Sequence, residues 1–414
     1  MQQIDIRNFG PITNGHVDIN KVTVFVGNQA AGKSTAAKLI STFKWIEKTL
    51  VRGDCDRKWL ERKNTNRLRT QFLPYHRLGP ADTKKEDTYL KPDSVIDYQG
   101  DAYRIVYRDG SMLVTENKNR AYPLPQIMYV PAERNFLSYI KDAGEIRLSG
   151  ALRDFNAEYG RAKNELKNMS LPINNIEVEY NKQYDNLYLR GGDYKIEINE
   201  AAGGLQSFVP LYLVSDYLAK SVKRQCESKE TMSSEEKARF EKGVQDIWNN
   251  ATLTDEQRTV AVSALSSKFN KAAFVNIVEE PEQNLFPSSQ WQMLQSLLEF
   301  NNMNEGNKLI LTTHSPYLIN YLTIAIKAKQ VLTDLRESNR ETLSAAISRH
   351  ISLNACINSD SVSIYELEEE SGNINLLPKY KDLIPSDDNF LNNLLAEVND
   401  RFTQLQEIEE ENEN

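Results

Sequence analysis

Residues 24–40, VFVGNQAAGKSTAAKLI, constrain the fold more than any other stretch of the chain. The apolar run KVTVFV predicts a strand, and apolar residues recur at helical intervals from Lys33 to about Leu50. Between them, Gly27 to Ser34 fits the pattern G-x-x-x-x-G-K-[ST] at every specified position. The order of a strand, this glycine-rich turn and a helix is typical of proteins whose turn binds phosphate.

The chemistry of the pattern explains its spacing. Gly27 and Gly32 let successive backbone N–H groups face phosphate oxygens, and the helix adds its positive N-terminal end. Lys33 is predicted to reach the β- and γ-phosphates, Ser34 to coordinate Mg²⁺, and Thr35 to contact the α-phosphate. The predicted cofactors are therefore ATP and Mg²⁺. The loop residues predicted to bind them are Gly27, Asn28, Ala30, Ala31, Gly32, Lys33, Ser34 and Thr35.

Such a loop occurs in kinases, GTPases, helicases and ATP-driven switches. The class of protein must therefore be inferred from motifs in the second half of the chain. An apolar strand over residues 274–278 delivers Glu279 and Glu280 to its C-terminal end. In a fold with a phosphate-binding loop, these positions suit a magnesium-side acid and a base for the attacking water. The next strand ends in TTHS, where His314 is predicted to contact the γ-phosphate. A glutamate-rich surface turn and a structural histidine are the alternatives.

Composition places the chain among globular proteins. Its 414 residues are 40% hydrophobic and 26% charged, enough for a substantial core in one large α/β domain or in two or three smaller ones. No stretch approaches the roughly 20 apolar residues of a membrane span, and the N-terminus lacks an apolar signal core, so a cytoplasmic location and no membrane partner are expected. Cys55, Cys226 and Cys356 lie far apart, which favours neither a zinc site nor disulfides.

The net charge of −8 argues against a protein that coats nucleic acid over its whole surface. Seven cations nevertheless cluster between Arg52 and Arg69. This basic segment could be a solvated helix face, a contact for a DNA backbone, or a surface for an acidic partner. The charged region 220–271 is predicted to be a helical lobe, a lid or a docking surface, and the tail EIEEENEN is predicted to be solvated and mobile.

A fourth motif, AAGGLQS, follows a predicted hairpin and starts a strongly apolar helix. The ordered set of phosphate-binding loop, glycine-rich helix start, acidic strand end and TTHSP strand resembles the stand-alone ABC-type ATPases of the SMC, RecF and OLD branch, which are AAA family ATPases. The resemblance covers residues 1–330. It implies an α/β fold, namely a P-loop NTPase with an ABC-ATPase (SMC/RecF-like) head of mixed sheets flanked by helices, and a helical signature lobe.

The resemblance also assigns residues to nucleotide and metal binding. Arg7, Asn8 and Phe9 match an opening motif that lies near the nucleotide base in the family. YVPAERNF, residues 129–136, resembles the region of the Q-loop, with Glu133 and Arg134 in the place where a metal or sensor contact is expected, and Glu133 is the implied metal ligand. The signature motif is matched by Gly203, Gly204 and Gln206, and the D-loop by residues 283–286.

In this family two ATP molecules are sandwiched in a head-to-tail dimer, so the chain itself is an expected partner, in a dimer or a higher oligomer. The implied parts are residues 1–135 and 273–370 for the nucleotide-binding lobe, 136–272 for the signature lobe, and 371–414 for a C-terminal helical extension. Two departures from the family suggest slow turnover: Glu279 stands where aspartate is usual, and Gly203 stands where serine is usual.

Two features that the sequence lacks narrow the family resemblance further. There are no sustained heptads for a long coiled-coil arm, and the last hundred residues lack the acidic strand ends of a Toprim nuclease. The chain therefore resembles the ATPase subunits of two-gene anti-phage systems such as PARIS and Septu, in which a separate effector protein acts. The alternative is a RecF-type repair ATPase that associates with DNA, and a transporter subunit is a more distant one.

Overall fold

A computed structural model describes most of the chain. The described residues are 2–63, 65–79, 89–117, 122–139, 146, 148–228, 234–250, 253–254, 258, 261–262, 265, 271–334, 340–380, 385 and 388–413.

The main sheet has eleven strands in the order β6-β5-β4-β1-β2-β15-β14-β3-β13-β12-β7. Its strands are β1 (Gln3–Phe9), β2 (Ile12–Asp18), β3 (Val22–Gly27), β4 (Leu90–Gln99), β5 (Tyr103–Arg108), β6 (Ser111–Glu116), β7 (Pro125–Val130), β12 (Ala273–Glu279), β13 (Lys308–Thr312), β14 (Val362–Leu367) and β15 (Asn373–Leu376). A second sheet contains β8 (Met169–Ser170), β9 (Glu177–Asn181), β10 (Asn186–Gly191) and β11 (Tyr194–Glu197).

Nine helices flank these sheets in the described part of the chain. They are α1 (Lys33–Arg52), α2 (Arg57–Leu60), α3 (Gly150–Glu165), α4 (Gly203–Ser228), α5 (Ser234–Asn249), α6 (Pro287–Asn302), α7 (Pro316–Thr333), α8 (Arg340–Ile347) and α9 (Phe390–Glu413). None of them combines the length and the apolar character that a membrane crossing requires.

The parallel half of the main sheet explains the long apolar runs in the sequence. Every residue of β3 and β12 is buried, because helices cover both faces of these strands. Alternate residues enter different cores: Val24 and Val26 join the core with α4 and α6, whereas Phe25 joins the core with α1. The predicted α/β fold with a mixed sheet and flanking helices is confirmed.

The short predicted elements are also confirmed where the motifs lie. The strand over KVTVFV and the helix from Lys33 have the predicted positions. The hairpin before the signature motif is the antiparallel set β9, β10 and β11. α4 then begins at Gly203, as expected.

Two predictions need correction. Residues 371–414 do not form a purely helical extension, because β15 pairs with β14 and with β2 in the main sheet before α9 begins. The tail is helical as far as Glu413. The basic segment is not one helix: α2 has four residues, and a separate helical turn covers Leu68–Phe72. Much of the predicted lobe at 220–271 lies outside the described residues.

Candidate nucleotide-binding site

The glycine-rich loop between β3 and α1 has a backbone conformation with several positive φ values, as in loops that bind anions through their N–H groups. Three of its residues have left-handed φ values, Gly27 at 139°, Ala30 at 66° and Gly32 at 106°. A Cβ on Gly27 would lie 2.5 Å from the Leu367 carbonyl oxygen in β14. Glycine is therefore required at this position both by its φ and by the close approach of a neighbouring strand.

Lys33 lies at the centre of this loop. Its Nζ donates to the carbonyl oxygens of Gly27 at 2.8 Å and Asn28 at 2.6 Å, and the residue is only 5% exposed. Burial lowers the pKa of Lys33 to about 8, while the charges of Glu280 and Glu282 oppose the shift. The cation is thus held against the loop by two of its carbonyl oxygens.

Glu279, at the end of β12, is held by groups from two other elements. Its carboxylate accepts hydrogen bonds from the Tyr129 hydroxyl at 2.5 Å and the Ala132 amide at 3.0 Å. Lys38 Nζ, in α1, lies 3.4 Å from it. The side chain is almost fully buried, so these contacts fix its orientation.

The donor set around Glu279 fits a magnesium ion bound together with a nucleotide. In the described part of the chain, no group of three or more His, Cys, Asp or Glu side chains could hold a metal by itself. Mg²⁺ commonly uses one or two protein oxygen ligands with substrate phosphates and water. The Ser34 hydroxyl at the start of α1 and the Glu279 carboxylate match that requirement.

Glu280 directly follows β12 and has an unusual backbone. Its φ is 44°, a left-handed value that is uncommon for glutamate and is often found at functional sites. Its Oε1 lies 3.6 Å from Nε2 of His314. The His314 imidazole holds the pKa of Glu280 below its ordinary value, although burial acts in the opposite direction. The carboxylate is therefore ionised near neutral pH and can accept a proton.

A third carboxylate, which the sequence analysis did not single out, shapes the same edge of the sheet. Glu282 accepts hydrogen bonds from Thr313 Oγ1 at 2.8 Å and from the His314 amide at 2.7 Å. Burial raises its pKa. The EEPE sequence contains this residue, and its hydrogen bonds connect the acidic turn to the segment that carries His314.

The Arg134 side chain connects the end of β12 to α4 through hydrogen bonds, an arrangement that we call the clamp. It is fully buried and donates to the carbonyl oxygens of Glu279 and Glu280 at 2.6 Å each and of Ser207 at 3.1 Å. These contacts join the end of β12 to α4. The structure therefore places Arg134 under the acidic turn, where it bonds the backbone and not a carboxylate.

We expect Arg134→Met to lower the free energy of unfolding by about 2–5 kcal/mol, because buried carbonyl groups would lose a charged donor. Urea denaturation of this variant and of Arg349→Met, which removes an exposed arginine, would measure the difference. Equal midpoints for the two variants would contradict the clamp.

The start of α4 packs against the predicted D-loop of its own chain. A Cβ on Gly204 would lie 2.6 Å from the Asn284 carbonyl oxygen, so this position requires glycine. A Cβ on Gly203 would meet only Asn284 Nδ2, at 3.7 Å. The Ser207 hydroxyl adds a 3.3 Å hydrogen bond to Gln283. Gly203 is thus the position at which a larger side chain can be introduced without a steric conflict.

The structure does not bring every predicted residue to the loop. Phe9 is fully buried and packs against Tyr89, with ring centroids 6.0 Å apart. The Gln206 amide donates within its own lobe, to the carbonyl oxygens of Asn199 at 3.0 Å and Ala201 at 2.9 Å. Neither side chain is available to a nucleotide in this conformation, so their predicted contacts are not supported.

Three further predicted residues have other neighbours. Asn8 donates to Asp93 Oδ2 at 2.7 Å, and Arg7 on the same strand is exposed. The Glu133 carboxylate lies 3.9 Å from Arg77 and is 60% exposed. These residues therefore remain predictions for nucleotide or metal binding, without a shared contact that would strengthen them.

The basic segment is partly neutralised by neighbouring groups. Arg52 lies 3.0 Å from Asp54, and Arg57 lies 3.1 Å from Glu61. The Arg67 guanidinium stacks over the Trp59 ring at 4.4 Å. Three other cations, Lys58, Arg62 and Lys63, are exposed.

Residues 140–319 match the family model described as the AAA ATPase domain. This part of the chain is similar to that domain. The matched part includes the start of α4, the acidic end of β12 and His314. The match supports ATPase activity. No curated protein sequence matches the chain.

Solved structures that are similar to this chain have low sequence identity with it. The SMC head domain from Thermotoga maritima is 10% identical over 91% of this chain and 98% of that chain, with a TM-score of 0.35. An SMC head bound to the C-terminal winged-helix domain of ScpA is 12% identical over 90% and 96%, with a TM-score of 0.34. A dimeric ATP-binding cassette bound to ADP and phosphate is 10% identical over 91% and 100%, with a TM-score of 0.25. Such low scores carry no inference about activity or assembly.

Proposed function

We propose that this chain is an ABC-type ATPase of the SMC, RecF and OLD branch that binds Mg²⁺ and ATP at loop 27–35 and hydrolyses the nucleotide. The observation that carries the proposal is the convergence of Lys33, Glu280 and His314 at one edge of the sheet. β3, β13 and β12 are parallel neighbours, so their C-terminal ends meet at this edge.

Each of these groups has a chemical part in hydrolysis. Lys33 and the loop amides hold the phosphates, and the ionised Glu280 takes the proton of the attacking water. His314 binds the γ-phosphate beside Glu280. When bound between Ser34 and Glu279, Mg²⁺ would neutralise charge on the phosphate oxygens.

Slow turnover is part of this proposal. The Tyr129 hydroxyl and Lys38 already contact the Glu279 carboxylate, and they compete with a magnesium ion or its water ligands for the same oxygens. Glutamate also reaches one methylene further than the aspartate that is usual in the resembling family.

Lys33→Ala should abolish ATP binding, because it removes the cation at the centre of the loop. In the parental protein, ATP affinity should stay level below about pH 8 and fall above it. The pKa of Lys33 is about 8 in the free protein, and a bound phosphate favours the charged amine, so binding above this pH must take up a proton. The association constant then falls by at most about tenfold per pH unit.

Calorimetric titration of ATP across this pH range measures both effects. Lys329→Ala, which removes a lysine on α7, is the control and should bind ATP as the parental protein does. ATP binding by a folded Lys33→Ala variant at parental affinity would overturn the assignment of the loop.

We further propose that a second copy of the chain completes each ATP site. Support comes from the start of α4, which packs on the 283–286 loop of its own chain and leaves room at Gly203. Phe286 in that loop is 75% exposed, a large apolar surface beside the predicted contact. Closure by a second chain would exclude water from the phosphates.

The biological role that we propose is an ATP-gated sensor or scaffold that controls a separate effector protein, in anti-phage defence. The alternative is a DNA-associated repair ATPase, for which the exposed Lys58, Arg62 and Lys63 would contact phosphates. Purification with the products of neighbouring genes tests the first role by the co-elution of an effector. ATP-stimulated DNA binding that weakens with salt, without such an effector, would favour the second.

A further inference from the structure

A cavity of about 490 Å³ lies between α1, α3 and the edge strand β7. Its volume is in the range of small-molecule sites, which is roughly 300–1,000 Å³. The lining comes from elements outside loop 27–35, so this space is separate from the phosphate-binding loop. Its aromatic lining consists of Trp45, Phe72, Tyr75, His76 and Tyr129.

The aromatic rings of the lining form two groups. Trp45 and Phe72 have ring centroids 5.8 Å apart, and His76 lies 4.5 Å from Tyr129 and 4.7 Å from Tyr75. The planes of the paired rings are inclined by 59° to 90°. A planar heteroaromatic ligand packs against aromatic side chains more favourably than an aliphatic chain does.

The charged side chains of the cavity favour an anion. Lys48, Arg153 and Arg161 line it together with two carboxylates, Asp154 and Glu158. Asp154 accepts a 2.8 Å hydrogen bond from the Tyr75 hydroxyl and lies 3.7 Å from Arg153, and Glu158 accepts a 2.6 Å bond from Arg161. Three cations and two carboxylates leave a formal excess of one positive charge in the lining.

His76 gives an independent indication of a ligand. It is 4% exposed, and its Nδ1 has no hydrogen-bond partner among the described residues. Burial, aided by the charge of Lys38, lowers the pKa of His76 to about 3, so the ring is neutral. A neutral imidazole offers one donor and one acceptor. Its buried Nδ1 is a polar atom at the cavity lining that the described residues leave unsatisfied.

We propose that this cavity binds a planar heteroaromatic ligand that carries one anionic group, of the class of a nucleoside monophosphate. The base stacks among the aromatic side chains, and the anionic group lies toward Arg153 and Arg161. The site is also connected to the ATPase centre, because Tyr129 lines the cavity and its hydroxyl holds Glu279. This second part, a change in ATP turnover on ligand binding, rests on the proposed function.

The test titrates AMP, GMP, CMP and UMP, each beside its uncharged nucleoside, into the Lys33→Ala protein by calorimetry. That background removes binding at the phosphate-binding loop. Ala157→Trp places a large ring in the cavity from an exposed position on α3, so folding should be preserved. Asn164→Trp, at an exposed position of the same helix that does not line the cavity, is the matched control.

We expect at least one monophosphate to bind once per chain and its nucleoside to bind more weakly. Ala157→Trp should weaken this binding by about tenfold or more, and Asn164→Trp should leave it unchanged. No binding by any of the four monophosphates, or equal loss in the two tryptophan variants, would overturn the site.

The connection to ATP turnover is measured separately, as the change in the ATPase rate of the parental protein when the bound monophosphate is added. Tyr129→Phe should retain the monophosphate and lose that change. If the parental protein has no ATPase activity while the monophosphate binds, the proposed function fails and the cavity proposal stands. If turnover is normal and unaffected by the monophosphate, the connection through Tyr129 is wrong.

Discussion

Glu280→Gln should lower the rate of ATP hydrolysis by about 100-fold or more while ATP still binds, because general-base catalysis commonly contributes this much. Glutamine keeps the shape of the side chain and loses the charge that accepts the proton from water. His314 holds the pKa of the Glu280 carboxyl below its ordinary value, so the parental carboxylate is ionised at the pH of the assay. Single-turnover hydrolysis and calorimetric ATP titration measure the two quantities.

Glu305→Gln is the control for this experiment. Glu305 is exposed in the loop before β13, and Lys21 donates to its carbonyl oxygen at the opposite end of β3. It should hydrolyse ATP at the parental rate. Parental turnover by Glu280→Gln would show that another group activates the water, and loss of ATP binding would show that the substitution disturbs the loop itself.

The site residues that could be predicted from the sequence are those that belong to a short local motif. The loop that contains Lys33 and the strand end that contains Glu280 are each recognisable within a few residues, because a strand, a turn and a polar terminus follow one another directly. Parallel strands place their C-terminal ends at one edge, so His314 could be placed beside Glu280 without coordinates.

The contacts that the sequence did not predict join residues far apart in the chain. Arg134 bonds the Glu279 carbonyl across 145 positions, and Tyr129 reaches the Glu279 carboxylate across 150. An arginine or tyrosine at such positions is equally compatible with an exposed or a buried location. The packing of β7 beside β12 determines whether such a side chain is buried. The pairing register of these two strands cannot be read from a single sequence.

Short elements were missed for a related reason. β15 has only four residues, and its stability comes from pairing with β14 and with β2 at the other end of the chain. Local propensity over four residues is weak, so tertiary pairing determines the structure. The basic segment, for which a solvated helix face was one alternative, is interrupted after α2, and the Arg67 guanidinium stacks over the Trp59 ring there.

Gly203→Asp should abolish ATP-dependent dimerisation and turnover together while ATP binding to the separate chain survives. In the proposed dimer, α4 of one chain begins opposite the γ-phosphate bound by the other. A carboxylate there would repel the phosphate by about 4 kcal/mol per pair of charges at 4 Å and an effective dielectric near 20. Within its own chain the new side chain meets only Asn284 Nδ2, at 3.7 Å from the Cβ, so the fold should accommodate it.

Gly203→Asn is the matched control, since it has nearly the same size and no charge. It should dimerise much more readily than Gly203→Asp, and light scattering with and without ATP measures the difference in assembly. Equal loss in both variants would assign the effect to size, and full activity of Gly203→Asp would remove the signature motif from the ATP site.

Mixing Gly203→Asp with Lys33→Ala distinguishes a shared site from a site within one chain. In a mixed dimer, one composite site combines the Lys33→Ala loop with the Gly203→Asp helix, and the other combines the intact loop with the intact helix. The intact site should restore part of the activity that neither variant shows alone. If mixed dimers form and no activity returns, each chain uses its own glycine motif or both sites must bind ATP before either hydrolyses it.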